Sequence, residues 1–157
     1  MTHETVPAGE FELGTDGPSA ILVGMDDSVT ATRALAYAAG MARRQHARLI
    51  VIYVESSFGP VAATPGGAAL MAAEATAHEE IAASLRERVE NAGRELGITV
   101  TFVARHGDPF TEIKQVANET RADAIVVGAS AKAGHKLVGS LAVRLVRQGK
   151  WPVTVVP

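Results

Sequence analysis

Five short apolar runs, rich in β-branched residues, constrain the fold of this 157-residue chain more than any other feature. The runs are Ile21–Met25, Leu49–Val54, Ile98–Val103, Ala124–Gly128 and Val153–Val156. Three of them are continuously apolar rather than alternating, as is typical of strands covered on both faces. The sequence therefore predicts a buried parallel sheet with a helical layer on each side.

Segments with helical spacing separate the runs. They extend from about Ser28 to Gln45, from about Ala68 to Leu96, onward from Asp108-Pro109, and from Gly139-Ser140 to Gly149. In the second, one stripe is predicted to face inward: Ala77, Ile81, Leu85, Val89, Ala92 and Leu96. Because parallel strands need right-handed crossovers, the alternation predicts an α/β fold, a doubly wound, Rossmann-like five-stranded parallel sheet with helices on both faces. The last strand is predicted to lie at a sheet edge.

The chain divides into a short tail and one domain. Residues 1–18 mix Gly, Pro, Thr and four acids without a period, which is typical of a mobile N-terminal tail. Residues 19–157, with 47% apolar residues in the whole chain, suffice for one domain. The stretch Ser56–Gly67 contains two prolines and several glycines and is predicted to be a flexible flap.

Composition excludes several classes of function. The chain has no cysteine, which removes thiol catalysis, disulfides and cysteine-ligated zinc. Its five histidines show no metal-ligand spacing. A net charge of −2 without a basic block disfavours nucleic acid as a partner. The N-terminus lacks a signal-peptide pattern, and no run reaches the ~20 apolar residues of a membrane span, so we expect a cytoplasmic protein that does not bind membranes.

Residues able to hold a ligand follow the first and fourth strands. Ligands of doubly wound sheets bind beyond the carboxyl ends of the strands, where strand order reverses. There the sequence places Gly24, Met25 and Asp26, then Gly128, and then Gly139-Ser140-Leu141 at a helix start, whose free N–H groups favour an anion. The pattern predicts a nucleotide site. Each residue also has a purely structural interpretation, as a strand end, a helix cap or an N-cap.

Chemistry beyond binding finds little support. Lys132, His135 and Lys136 are potentially cationic and fall in the loop that would face phosphates, although a solvated basic loop explains them equally well. The chain has no phosphate loop, GxGxxG motif, nucleophile elbow or HExxH motif. It also lacks the acceptor aspartate and the lysine of a phospho-receiver domain. We therefore expect no enzyme, or at most a slow ATPase.

Several motifs resemble those of one known family. They are Ile21–Ser28, Val51–Val54, Gly107–Pro109, Ala122–Gly128, Gly139-Ser140 and Trp151–Val156. From about Ala20 to Pro157 the chain resembles the UspA superfamily of universal stress proteins. The resemblance implies an adenine nucleotide alpha hydrolase-like fold, a homodimer formed through the C-terminal strand, and a role in stress physiology without a defined turnover reaction.

One branch of that family binds ATP or related adenine nucleotides through a motif resembling G-x2-G-x9-G-[ST]. This chain keeps Gly128 and Gly139-Ser140, but Ala131 replaces the second glycine and seven residues stand where the motif has nine. The resemblance places the adenosine end against Gly24, Met25, Asp26 and the backbone of Val54. It places the phosphates against Gly128, Gly139, Ser140 and Leu141, with Val127 beside the sugar. This implies a degenerate nucleotide site; the alternative is a dimer that binds no nucleotide and acts through protein–protein contacts.

Overall fold

The computed structural model describes residues 17–56, 65–130 and 139–157. Its elements are β1 (Ala20–Met25), α1 (Val29–Gln45), β2 (Arg48–Glu55), α2 (Gly67–Leu96), β3 (Val100–His106), α3 (Pro109–Glu119), β4 (Ala124–Gly128), α4 (Ser140–Gln148) and β5 (Val153–Val156). The predicted strands and helices are all present within two to three residues. The tail before residue 17 and residues 57–64 of the predicted flap lie outside the described residues.

The five strands form one parallel sheet in the order β3-β2-β1-β4-β5. The central strand β1 pairs with β2 on one side, with Val23 opposite Val51, and with β4 on the other, with Val23 opposite Val126. Strand order therefore reverses beside β1, which confirms the doubly wound fold. The last strand, β5, is an edge strand as predicted, and it pairs with β4.

Alternate side chains of the strands enter two separate cores. In β1, Ile21 and Val23 pack toward α1 and α2, whereas Leu22 packs toward α3 and α4. All three side chains are completely buried. Since each core is closed by two helices, the prediction of helices on both faces of the sheet is confirmed.

Small side chains allow α1 to lie close to the sheet. The buried face of this helix consists only of alanines: Ala31, Ala34, Ala38, Ala39 and Ala42. Ser28 begins the helix, because its Oγ accepts a hydrogen bond from the N–H of Ala31 at 3.1 Å. The helix ends at His46, which adopts the left-handed conformation and donates its N–H to the carbonyl of Ala42.

The predicted inward stripe of α2 is wrong in four of its six members. Leu85 and Val89 are buried, but Ala77, Ile81, Ala92 and Leu96 are exposed. The helix instead turns Gly93 toward the sheet, where an added Cβ would lie 2.6 Å from Cγ2 of Val100. This glycine, which an apolar count overlooks, lets the helix backbone approach β3 and so shifts the buried face.

Asp108 begins α3, and its removal is expected to destabilise the fold. Its Oδ2 accepts hydrogen bonds from the N–H of Thr111 at 3.0 Å and from the Thr111 hydroxyl at 2.8 Å. Because loss of an N-cap aspartate costs about 0.5–2 kcal/mol, Asp108→Ala should lower the free energy of unfolding by that amount in urea titrations at pH 7. Asp108→Asn, which keeps a capping oxygen, should lose less.

The same cap predicts a pH dependence. Hydrogen bonds from the Thr111 hydroxyl and N–H, and next the Arg144 guanidinium, lower the pKa of Asp108 below its ordinary value of 3.8. A lowered pKa in the folded state contributes stability above pH 3.8 that is lost as the pH falls through the folded value. The stability gap between the parent and Asp108→Ala should therefore narrow below about pH 4. An equal gap at pH 7 and pH 3 would contradict the proposed role of the charged form.

Candidate functional site

The end of β4 lies against the first turn of α1. A Cβ added to Gly128 would lie 2.6 Å from the carbonyl carbon of Thr30 and 2.8 Å from the nitrogen of Ala31. Such distances leave no room for any side chain at residue 128. The structure thus packs Gly128 against the first turn of α1, and the absence of a side chain permits this contact.

Ser130 and Gly139, which flank residues 131–138, lie close together near Gly128. A Cβ added to Gly139 would lie 2.7 Å from Cβ of Ser130, and the N–H of Ala129 donates to the carbonyl of Val156 at 2.7 Å. Ser130 was missed by the sequence analysis, because a serine between alanines gives no pattern. Residues 131–138, including Ala131, Lys132, His135 and Lys136, lie outside the described residues, so the predictions for them stay predictions.

Helix α4 begins at this point, and no side chain of the described residues caps it. Gly139 is its N-cap residue and forms no side-chain capping hydrogen bond, and Ser140 is exposed in the first turn. The first N–H groups of a helix carry partial positive charge and need an acceptor. The start of α4 can therefore receive an anion, which the Ser140 hydroxyl can also approach.

Two acids follow β1 at the same edge of the sheet, where the carboxyl ends of the strands lie. Asp26 is exposed, and its Oδ1 accepts a hydrogen bond from the N–H of Ser28 at 3.1 Å. Asp27 adopts a φ of 62°, which is uncommon outside glycine, and its Oδ1 lies 4.0 Å from Nη1 of Arg88 on α2. Asp26, predicted as a ribose ligand, therefore also holds the turn that leads into α1.

Two of the remaining predicted residues, Met25 and Val127, can offer only backbone to a ligand, because their side chains are buried. Met25 is 4% exposed and belongs to the core beneath α1, and Val127 is 3% exposed and belongs to the core beneath α4. Val54 and Leu141 are half-buried against that second core. A Cβ on Gly24 would make an ordinary contact with Cδ1 of Ile113 at 3.4 Å, so this glycine is not required by packing.

A polar cluster at the ends of β2 and β3 was missed by the sequence analysis. The Tyr53 hydroxyl lies 3.0 Å from Nδ1 of His78, whose Nε2 lies 3.7 Å from Oε1 of Glu55. Nδ1 of His106 lies 3.4 Å from the other Glu55 oxygen, Oε2. The cluster joins α2 to the sheet. Its members are distant in sequence, and the only signal was that Tyr53 and Glu55 share one face of β2.

Tyr53 is expected to titrate above pH 10. Burial first, and then the charges of Glu55, Asp27 and Asp26, raise the pKa of Tyr53 from its ordinary value of 10.0. In a Tyr37→Phe variant, which leaves Tyr53 as the single tyrosine, the midpoint of the rise in tyrosinate absorbance should lie above pH 10.

A raised pKa in the folded state contributes stability that is complete below pH 10 and is lost as the pH rises through the folded value. The free energy of unfolding of the Tyr53→Phe variant should therefore fall less steeply than that of the parent as the pH rises above 10. Titration of the single tyrosine at or below pH 10 would contradict the assignment.

In the described parts of the chain, no helix has the length and apolar character needed to cross a membrane. The same residues contain no group of three His, Asp or Glu arranged to hold a metal ion.

An open, doubly wound parallel sheet in the order β3-β2-β1-β4-β5, with helices on both faces, defines the class of Rossmann-like α/β domains. Residues 19–157 match the model of the universal stress protein family. The chain belongs to the universal stress protein family, which confirms the resemblance noted in the sequence.

Individual relatives agree with this assignment. A universal stress protein of Methanocaldococcus jannaschii is 28% identical over 138 residues, covering 87% of this chain and 80% of the relative. The solved structure of UspA from Lactobacillus plantarum has a TM-score of 0.71 at 27% identity, covering 88% of this chain and 97% of that one.

Two solved structures of universal stress proteins contain adenine nucleotides. One is a complex with cAMP, with a TM-score of 0.61 at 23% identity, covering 88% of this chain and 96% of that one. The other, from Archaeoglobus fulgidus, is a complex with dAMP, with a TM-score of 0.57 at 23% identity and coverages of 88% and 97%. At this identity the similarity to these two proteins concerns the fold.

Proposed function

We propose that this universal stress protein binds an adenine nucleotide in the crevice between the β1 turn and the start of α4. The observation that carries the proposal is the close packing after β4, where Gly128 contacts the first turn of α1 and Gly139 approaches Ser130. Universal stress proteins of similar fold bind cAMP and dAMP, which supports the choice of an adenine nucleotide.

Charge determines how the nucleotide lies. Phosphate is favoured at the start of α4, where no side chain of the described residues caps the N–H groups and Gly139 allows close approach. It is disfavoured at the β1 turn, where Asp26 and Asp27 carry negative charge. The ribose and base therefore lie toward β1, where the Asp26 carboxylate can accept from a ribose hydroxyl and the backbone of Gly24 and Val54 can face the base.

The proposed role is binding without efficient turnover. A hydrolase needs a base placed to activate water at the terminal phosphate. Asp26 lies at the ribose end in this orientation. Asp108, which contacts α4 through Arg144 at 3.3 Å, is occupied by Thr111 and Arg144. Within this proposal the protein is cytoplasmic and acts as a nucleotide-dependent regulator in the stress response.

The proposed assembly is a homodimer paired through β5. This strand has a partner only on the β4 side within the described sheet, so its other edge can pair with a second copy. Sedimentation should give about twice the chain mass of 16.4 kDa. A monomer at all concentrations would refute this assembly without affecting the nucleotide proposal.

The test is direct nucleotide binding. Purified protein would be heated, and the released supernatant would be analysed by anion-exchange chromatography for adenine nucleotide. Calorimetric titration with ATP, ADP, AMP and cAMP would follow on nucleotide-free protein. We expect saturable binding of at least one of them. Absence of both co-purified nucleotide and binding heat would overturn the proposal in favour of a universal stress protein that acts through protein contacts alone.

A further inference from the structure

Five exposed cations lie at the amino end of the sheet, opposite the crevice. We call them the basic face: Arg43, Arg44, Arg48, Arg121 and Lys150. Arg43 and Arg44 occupy the last turn of α1, and Arg48 begins β2 shortly after it. The net charge of the whole chain hides this local concentration of positive charge.

Three of these cations surround the end of α3. The Arg48 guanidinium donates to the carbonyl of Thr120, and the Lys150 ammonium donates to Oδ1 of Asn118. Arg121 follows directly, with a φ of 52°. The C-terminal end of a helix carries partial negative charge and favours cations at this position. The hydrogen-bond acceptors of Arg48 and Lys150 are neutral groups, so the cations are held in place while their charges remain.

No carboxylate of the described residues forms an ion pair with the basic face. The nearby Asp123 accepts instead from the N–H and hydroxyl of Ser19 and from the N–H of Ala20, at 2.8–2.9 Å. Glu119, at the end of α3, pairs with Arg105 at 2.8 Å. The acids around the basic face are therefore engaged elsewhere, and its five charges have no anionic partner among the described residues.

The N-terminal segment joins the domain at the basic face. The N–H of Arg48 donates to the carbonyl of Ser19 at 3.0 Å. A Cβ added to Gly17 would lie 2.6 Å from Oε1 of Gln45, the neighbour of Arg44. Residues 1–16 carry four acids, Glu4, Glu10, Glu12 and Asp16, and contain no lysine or arginine. A segment of charge −4 thus begins beside a surface of charge +5.

We propose that the acidic segment 1–16 docks on the basic face and shields it from other anionic partners. Single exposed ion pairs are weak, but a covalently attached segment acts at a high effective concentration, and several pairs act together. The β1 turn at the opposite end of the sheet would repel the segment, since it carries Asp26 and Asp27. This inference is independent of nucleotide binding.

The absence of cysteine permits a direct test by site-specific spin labelling of the full chain. A spin label at Thr5→Cys should broaden backbone amide signals of residues 43–48, 118–121 and 150. Broadening should disappear when Glu4, Glu10, Glu12 and Asp16 are all replaced by their amides. It should persist in a control that replaces four exposed acids of α2, Glu79, Glu80, Glu87 and Glu90, by glutamine. Broadening unaffected by the tail charges, or centred on residues 26–28, would overturn the proposal.

A second measurement tests whether the tail shields the basic face from another polyanion. On a heparin column, the tail-neutralised variant should elute at higher salt than both the parent and the α2 control, whose net charge equals that of the variant. Equal elution of the variant and the α2 control would mean that the tail does not shield the basic face, and the proposal would fall.

Discussion

Gly128→Ala is expected to lower the free energy of unfolding by about 1–3 kcal/mol, as overpacking of a rigid contact does. The new methyl group would lie 2.6–2.8 Å from backbone atoms of Thr30 and Ala31, and backbone in the first turn of a helix cannot yield as a side chain can. Thermal and urea unfolding would measure the loss, with a midpoint lower by several degrees.

Gly24→Ala is the matched control for this substitution. It adds the same methyl group to a neighbouring strand end, at ordinary contact distance from Cδ1 of Ile113, 3.4 Å, and from Cγ1 of Val127, 3.6 Å. We expect its stability to stay within about 0.5 kcal/mol of the parent, as for substitutions without strain. If both variants lose the same stability, the close contact between β4 and α1 is not the cause.

Ser140→Asp should weaken ATP binding by about tenfold or more while leaving the fold intact. Repulsion between a carboxylate and a phosphate about 4 Å apart costs about 1 kcal/mol in bulk water and about 4 kcal/mol near a protein surface. A tenfold loss of affinity corresponds to about 1.4 kcal/mol. The same charge interacts favourably with the start of α4, so thermal stability should stay equal or rise slightly. Calorimetric titration and thermal unfolding would measure the two effects.

Ser140→Asn separates charge from shape. Asparagine has nearly the size of aspartate and keeps hydrogen-bonding groups but adds no charge, so we expect affinity within a few-fold of the parent. Affinity equal to that of the parent in both the aspartate and the asparagine variants would place the phosphates away from α4. Loss in both variants would indicate that the serine hydroxyl itself is needed.

The sequence predicted the strands well because their residues are apolar whichever helix covers them. It predicted the switch point because connection length and handedness allow few strand orders. The prediction of which face of α2 is buried was wrong for a local reason. Large apolar residues are ordinarily buried in preference to glycine, but here Ile81 is exposed and Gly93 is buried. The reason is that α2 lies so close to Val100 that only a residue without a side chain fits between them.

For the candidate site, the sequence identified the turns but not the reason for their glycines. Gly128 was open to a structural and a ligand-binding interpretation, and its contact with Thr30 gives it a packing role that is compatible with a bound phosphate. Ser130 and the cluster of Tyr53, His78 and Glu55 were missed, because they come together only through the tertiary fold.

The edge strand β5 is only four residues long, Val153–Val156, and Pro157 follows it. Proline has no N–H to extend a ladder between subunits. In the proposed dimer, pairing between the two β5 strands can therefore form only a few backbone hydrogen bonds, and most of its stability must come from side-chain contacts beside the strand.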